Sequence, residues 1–82
     1  MDFTDCFFDL KEEFKGKINL ETLTMQLLMS NRVKRGIHVD HAHNGFATYF
    51  PNEEVRSSIQ KIKDFIPDFD KYFVIRTKPS LE

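Results

Sequence analysis

The run His38-Val39-Asp40-His41-Ala42-His43 contains all three histidines of the chain and is its strongest candidate for metal chemistry. Alternate side chains of a strand share a face, so an extended run would set His41 beside His43. Two adjacent imidazoles supply half of a zinc or copper site. The other ligands would have to come from Cys6, from a carboxylate elsewhere or from a second chain, since no second ligand cluster occurs. His41 and His43 thus stand as an alternative metal site. The plainer reading is two histidines at an exposed hairpin tip, one resting on Phe46 or Phe50, and no cofactor is expected.

The tripeptide His41-Ala42-His43 also resembles the histidine–hydrophobic–histidine motif of rolling-circle replication and relaxase nucleases. That resemblance implies a divalent ion held by the pair and a tyrosine, here Tyr49 or Tyr72, that attacks DNA. It covers three residues, in a chain shorter than that family's larger sheet needs. Other nucleophilic chemistry has less support. Cys6 falls in the first turn of an expected helix, where the dipole lowers a thiol pKa, but Asp5 and Asp9 oppose that effect. Gly16, Gly36 and Gly45 are isolated and form no phosphate-cradling loop. The acid pairs Glu12-Glu13 and Glu53-Glu54 fall on solvated helix surfaces. With no nucleophile–base pair to assemble, the chain reads as a non-enzyme.

A basic cluster, Arg32, Lys34 and Arg35, joins the second helix to the first strand, and Arg76 would join it if the last strand flanked the first. Such a group could neutralise a few phosphates, with Tyr49 and Tyr72 as stacking surfaces. Nucleic-acid binding is therefore one alternative function. The leading reading rests on surplus apolar side chains. Phe8 stands about 140° from Phe3 on a helical projection, and Met25 and Met29 stand about 140° and 180° from Leu20. Phe and Met on a second face suit an adaptable binding surface. Phe8, Met25 and Met29 are accordingly expected to bind a protein partner or a second copy of the chain.

These residues need elements to hold them. Phe3, Phe7, Leu10 and Phe14 fall within about 60° of arc, which predicts a helix over residues 3–15 closed by Gly16. Residues 20–31 form a second helix capped by Asn19, with Leu20, Leu23 and Leu27 on one side and Met25, Leu28 and Met29 on another. Asn44-Gly45 predicts a two-residue hairpin that pairs His43 with Phe46, His41 with Thr48 and Val39 with Phe50. Ile37, Val39, His41, His43, Phe46, Thr48 and Phe50 then share one face, and His38, Asp40, Ala42, Ala47 and Tyr49 share the other. Asn52 starts a third helix through residue 65, with Val55, Ile59, Ile62 and Ile66 as its stripe, and Pro67 stops it. Residues 68–70 turn, and residues 71–77 form a third strand. A right-handed crossover would bring that strand in parallel to the second. The expectation is an α+β fold of three helices on a three-stranded, mainly antiparallel sheet, with element order ααββαβ and strand order 2-1-3.

The 82 residues suffice for one small domain, taken as residues 1–80, with Leu81-Glu82 read as a cloning scar. Twelve bases against thirteen acids leave a net charge of −1, which excludes a field from total charge strong enough to draw nucleic acid or an anionic membrane. The charge is segregated: −4 over residues 1–14, +4 over 15–35, −3 over 36–70 and +2 over 71–82. The longest apolar run, Tyr72 to Ile75, is far short of a membrane span, so no membrane role is expected. A single cysteine excludes an intramolecular disulfide and fits a reducing, cytoplasmic setting.

Overall fold

The computed structural model describes residues 2–33 and 36–79. Its first element corrects the helix expected there. Residues Phe3–Leu10 form a strand, β1, followed by a single 3-10 turn at Glu12–Phe14. The segment carries two apolar patterns at once. Phe3, Phe7, Leu10 and Phe14 satisfy a helical stripe, whereas Thr4, Cys6, Phe8 and Leu10 satisfy a period of two. The second pattern prevails because those four side chains are all buried on one face of β1. Gly16 takes a left-handed φ of 79°, closing this 3-10 turn rather than a helix.

The second helix, α1, spans Leu20–Met29, and the Asn19 side chain accepts a hydrogen bond from the Thr22 backbone N–H, as expected of its cap. The hairpin follows as β2 (Ile37–Asp40) and β3 (Gly45–Pro51). Its loop is longer than the expected two residues: His41–Asn44 form the turn, and Val39 pairs with Phe46 rather than Phe50. The slip is by an even number of residues, so both ladders keep the faces expected of them. A tight two-residue turn of this type needs positive φ at both central positions. Only Asn44 has one, at 52°. Gly45 is a strand residue, and its role is close packing: a Cβ there would lie 2.1 Å from the Phe8 carbonyl oxygen.

The chain then makes a 3-10 turn at Asn52–Glu54 and the helix α2 over Val55–Phe65. Asn52 does not cap this helix. Its Oδ1 accepts from Thr4 Oγ1 at 2.6 Å and ties the turn to β1. Residues read as a turn hold one helical turn, α3 (Phe69–Tyr72), entered through a left-handed Asp68. The last strand, β4, runs Phe73–Pro79.

The fold is thus α+β, with three α-helices and one antiparallel sheet of four strands in the order β2-β3-β1-β4. The expected order 2-1-3 fails because β1 was absent from it. β3 and β4 run parallel to one another, as the crossover through α2 demands, but β1 lies between them, antiparallel to both. This is the split-βαβ, ferredoxin-like arrangement β1-α1-β2-β3-α2-β4, with α3 as an added turn. One sheet face meets the helices through Phe8, Cys6, Phe46, Phe50 and Phe73, joined by Leu27, Ile62, Ile66 and Phe69. Phe8 and Phe46, opposite one another on β1 and β3, stack at 4.7 Å. Among the described residues, no helix packs on the other sheet face.

Candidate functional site

α1 is apolar on two sides. Its inner side sends Leu27 fully into the core, with Thr24 buried and Leu20 and Leu23 half-buried. The Thr24 hydroxyl is accommodated because it donates back to the Glu21 carbonyl at 3.0 Å. On the outer side Met25, Leu28 and Met29 are 61%, 44% and 78% exposed. The spacing i, i+3, i+4 makes these three side chains neighbours in a single patch. Glu21 is the one charged residue in the helix, so α1 itself brings little charge to the patch. α2 shows the ordinary alternative. Its buried side carries Ser58 and Ile62, and its exposed side carries Arg56, Gln60, Lys61 and Asp64. The α1 helix ends at a left-handed Asn31, and beyond it the Arg32 guanidinium lies 4.8 Å from the centre of the Phe65 ring.

Phe8 does not belong to this surface. As part of β1 it points into the core with no exposure, its ring edge-on to Phe69 at 6.0 Å. The expected partner-binding set therefore separates into an exposed pair, Met25 and Met29, and a core residue. Leu28, read from sequence as sharing the Met side, completes the exposed patch.

The basic cluster is dispersed. Lys34 and Arg35 lie outside the described residues. Arg32 precedes β2 at one edge of the sheet, whereas Arg76 is on β4 at the opposite edge, with β3 and β1 between. Arg76 is also neutralised locally. Its Nε donates to Asp9 Oδ2, its second nitrogen donates to Asp9 Oδ1 at 3.2 Å, and Asp40 lies 3.9 Å away. Gly45, opposite both Asp9 and Asp40 and lacking a side chain, leaves room for the two carboxylates to approach one guanidinium. The hydrogen bond that Arg76 donates to Asp9 pushes the Arg76 pKa up from its ordinary value. Tyr72 is turned inward, edge-on to Phe14 at 4.7 Å.

The histidines also separate, because the turn begins at His41 and removes both from the strand. His41 lines a cleft on the helix side with Leu10, Ile18 and Val39. His43 turns to Asp40, its Nδ1 3.0 Å from Oδ2, beside the helix-free face. Among the described residues no group of three or more His, Cys, Asp or Glu side chains is placed to hold a metal ion.

Cys6 is fully buried, its Sγ 3.8 Å from the Thr4 carbonyl. Burial, with the nearby Asp5 charge as a smaller cause, pushes its thiol from the ordinary 9.0 up to about 11. The helix dipole expected to lower it is absent from a strand. Two consequences are measurable. Ellman's reagent at pH 8 should react with Cys6 slowly in the native protein and quickly in denaturant. The unfolded thiol also ionises first, so stability should fall as pH rises from 9 through about 11. Equilibrium unfolding at pH 8 and pH 10.5 checks the sign, and a Cys6→Ser variant should lack that part of the pH dependence.

The helix-free face holds side chains that sequence reasoning assigned elsewhere. Phe3, Asp5, Phe7 and Asp9 of β1 stand there beside Ala47 and Tyr49 of β3 and Val74, Arg76 and Lys78 of β4. Arg76 lies 4.6 Å from the Phe7 ring centre, and Tyr49 is edge-on to Phe3 at 5.4 Å. The signal for this arrangement was the alternation Phe-Thr-Asp-Cys-Phe-Phe-Asp-Leu, which places aromatic and acidic residues together on one side of a strand. Comparison of the chain with family models, with curated proteins and with solved structures finds no match. No helix among the described residues is long and apolar enough to cross a membrane.

Proposed function

We propose that this chain is a small non-enzymatic interaction module that binds a protein partner, or a second copy of itself, through the outer face of α1. The observation that supports this reading is the contiguous exposure of Met25, Leu28 and Met29 on a helix whose other side is already in the core. Single exposed apolar residues are ordinary, but three in one patch, with little charge among them, leave apolar area in water that a partner would cover. Burial of that area at about 25 cal/mol per Å² is the driving force, before the entropy of association is subtracted. Methionine adapts to an irregular partner surface because its chain is unbranched and polarisable. A reducing, cytoplasmic setting suits the buried free thiol of Cys6.

The basic and histidine alternatives have less in their favour. Arg32 and Arg76 lie at opposite edges of the sheet, and His41 and His43 point to different sides of it.

The test is a Met25→Gln/Met29→Gln double variant. Both side chains are exposed, so the unfolding midpoint should stay within about 0.5 kcal/mol of the parent. Sedimentation velocity and capture from lysate of the source should show loss of the self-associated or partner-bound species. If the double variant unfolds, the two methionines are core and the reading fails. If association persists unchanged in a folded variant, the face is not the interface.

A further inference from the structure

The helix-free sheet face contains a cleft of about 510 Å³ over the β2–β3 half of the sheet. Its floor is Ala47, with Phe7 opposite on β1 and His38 opposite on β2. Tyr49 stands two residues further along β3, and Asp5 is its partner on β1. The small side chain at Ala47 leaves a gap bordered by two aromatic rings and a carboxylate. With histidine counted as neutral, Asp5 is the one charged side chain lining the cleft. The Asp5 carboxylate has no hydrogen-bond or ion-pair partner among the described residues. Its other cross-strand neighbour, Lys78, is on β4, on the far side of β1 from the cleft.

The same face shows what such a set of groups holds. On the β4 side of Phe7, the Arg76 guanidinium lies against the ring and donates two hydrogen bonds to Asp9. Two residues back along β1, an aromatic ring and a carboxylate recur as Tyr49 of β3 and Asp5 of β1, with no cation ion-paired to Asp5 among the described residues. We propose that this cleft binds a guanidinium group, the side chain of an arginine carried by an extended segment of a partner polypeptide, with Asp5 as its counter-charge.

Charge and shape both favour that occupant. Asp5, Asp9 and Asp40 outnumber Arg76 and Lys78 on this face, so a phosphate or a polyanion is repelled. A planar, weakly hydrated guanidinium stacks on aromatic rings and forks onto a carboxylate, whereas a compact ammonium holds its water more tightly. A polypeptide is the favoured source because β2 is outermost in the sheet and Gly36, Ile37 and His38 line the cleft. A strand added beyond β2 would lie about 14 Å from β1, out of an arginine's reach, so the segment crosses that outer edge and lies over Ala47 on the open face, with its arginine at Asp5.

The probe is a capped pentapeptide, acetyl-Thr-Val-Arg-Val-Thr-amide, titrated into the ¹⁵N-labelled protein. Amide shifts are expected at Asp5, Phe7, His38, Ala47 and Tyr49. The citrulline version of the peptide, equal in shape but uncharged, should bind about tenfold more weakly, as should the peptide to a folded Asp5→Asn variant. The Met25→Gln/Met29→Gln variant should bind it as the parent does, which separates this site from the α1 face. Three results would overturn the proposal: no shifts at the cleft by about 10 mM peptide, equal affinity for the citrulline version, or stronger shifts at these residues from single-stranded oligothymidylate.

Discussion

Gly45→Ala is expected to remove a large share of the protein's stability. A Cβ at this position would fall 2.1 Å from the Phe8 oxygen, 2.9 Å from the Phe8 carbonyl carbon and 2.9 Å from Asp9 Cα. All three are backbone atoms of β1, the strand paired on both sides, so no flexible side-chain end can move away. Relief requires β1 and β3 to separate, which breaks the ladder between them and the packing of Phe8 on Phe46. Overpacking of this kind costs roughly 3 kcal/mol or more. A domain of this length has on the order of 4–12 kcal/mol in total. Glycine is needed here for the approach of two backbones and not for its dihedral freedom, since Gly45 is not among the positive-φ residues. Gly36→Ala is the control: a Cβ there meets nothing within 4 Å, and its cost should stay below about 1 kcal/mol. Urea unfolding followed by circular dichroism measures both. A Gly45→Ala midpoint equal to that of Gly36→Ala would show that the central strands can accommodate a methyl group.

Phe8→Ala should destabilise the protein by roughly 3–5 kcal/mol, the range for truncating a buried phenylalanine. Phe8 is fully enclosed, stacked on Phe46 and edge-on to Phe69, so the cavity would open in the middle of the aromatic core. Phe7, the next residue, points to the other face, half-buried under Arg76. Phe7→Ala should cost about 1 kcal/mol, chiefly the ring area and its contact with the guanidinium. The ordering of the two variants is the decisive quantity. On a helix over residues 3–15, Phe7 would belong to the buried stripe and Phe8 would stand off it, which reverses the ranking. Unfolding midpoints for the pair therefore test the strand directly.

The misreading of that first segment accounts for most of what sequence reasoning missed. Phe3, Phe7, Leu10 and Phe14 are apolar at helical spacing, and Thr4, Cys6, Phe8 and Leu10 are apolar or small at strand spacing. The segment by itself does not rank the two. The ranking comes from Phe46, Thr48 and Phe50 on one side and Phe73, Ile75 and Thr77 on the other, all more than 35 residues away along the chain. With β1 in place, Phe8 moves from the expected surface to the core, and Phe3 and Phe7 move to the open face. Arg76 finds Asp9 in place of Arg32.

Features decided within one turn of chain were legible. Asn19 caps α1, Pro67 follows the end of α2, and the faces of the hairpin survive a change in its loop length because the slip is even. The outer side of α1, with Met25, Leu28 and Met29, is also as the helical spacing placed it. These properties depend on residues that are neighbours in sequence, where propensity, capping and periodicity act. The sheet order, the burial of Phe8, the parting of His41 from His43 and the aromatic–carboxylate cleft depend on which distant strands pair. That choice belongs to the tertiary structure, because a strand has no internal hydrogen bonds and takes its stability from the partners it finds.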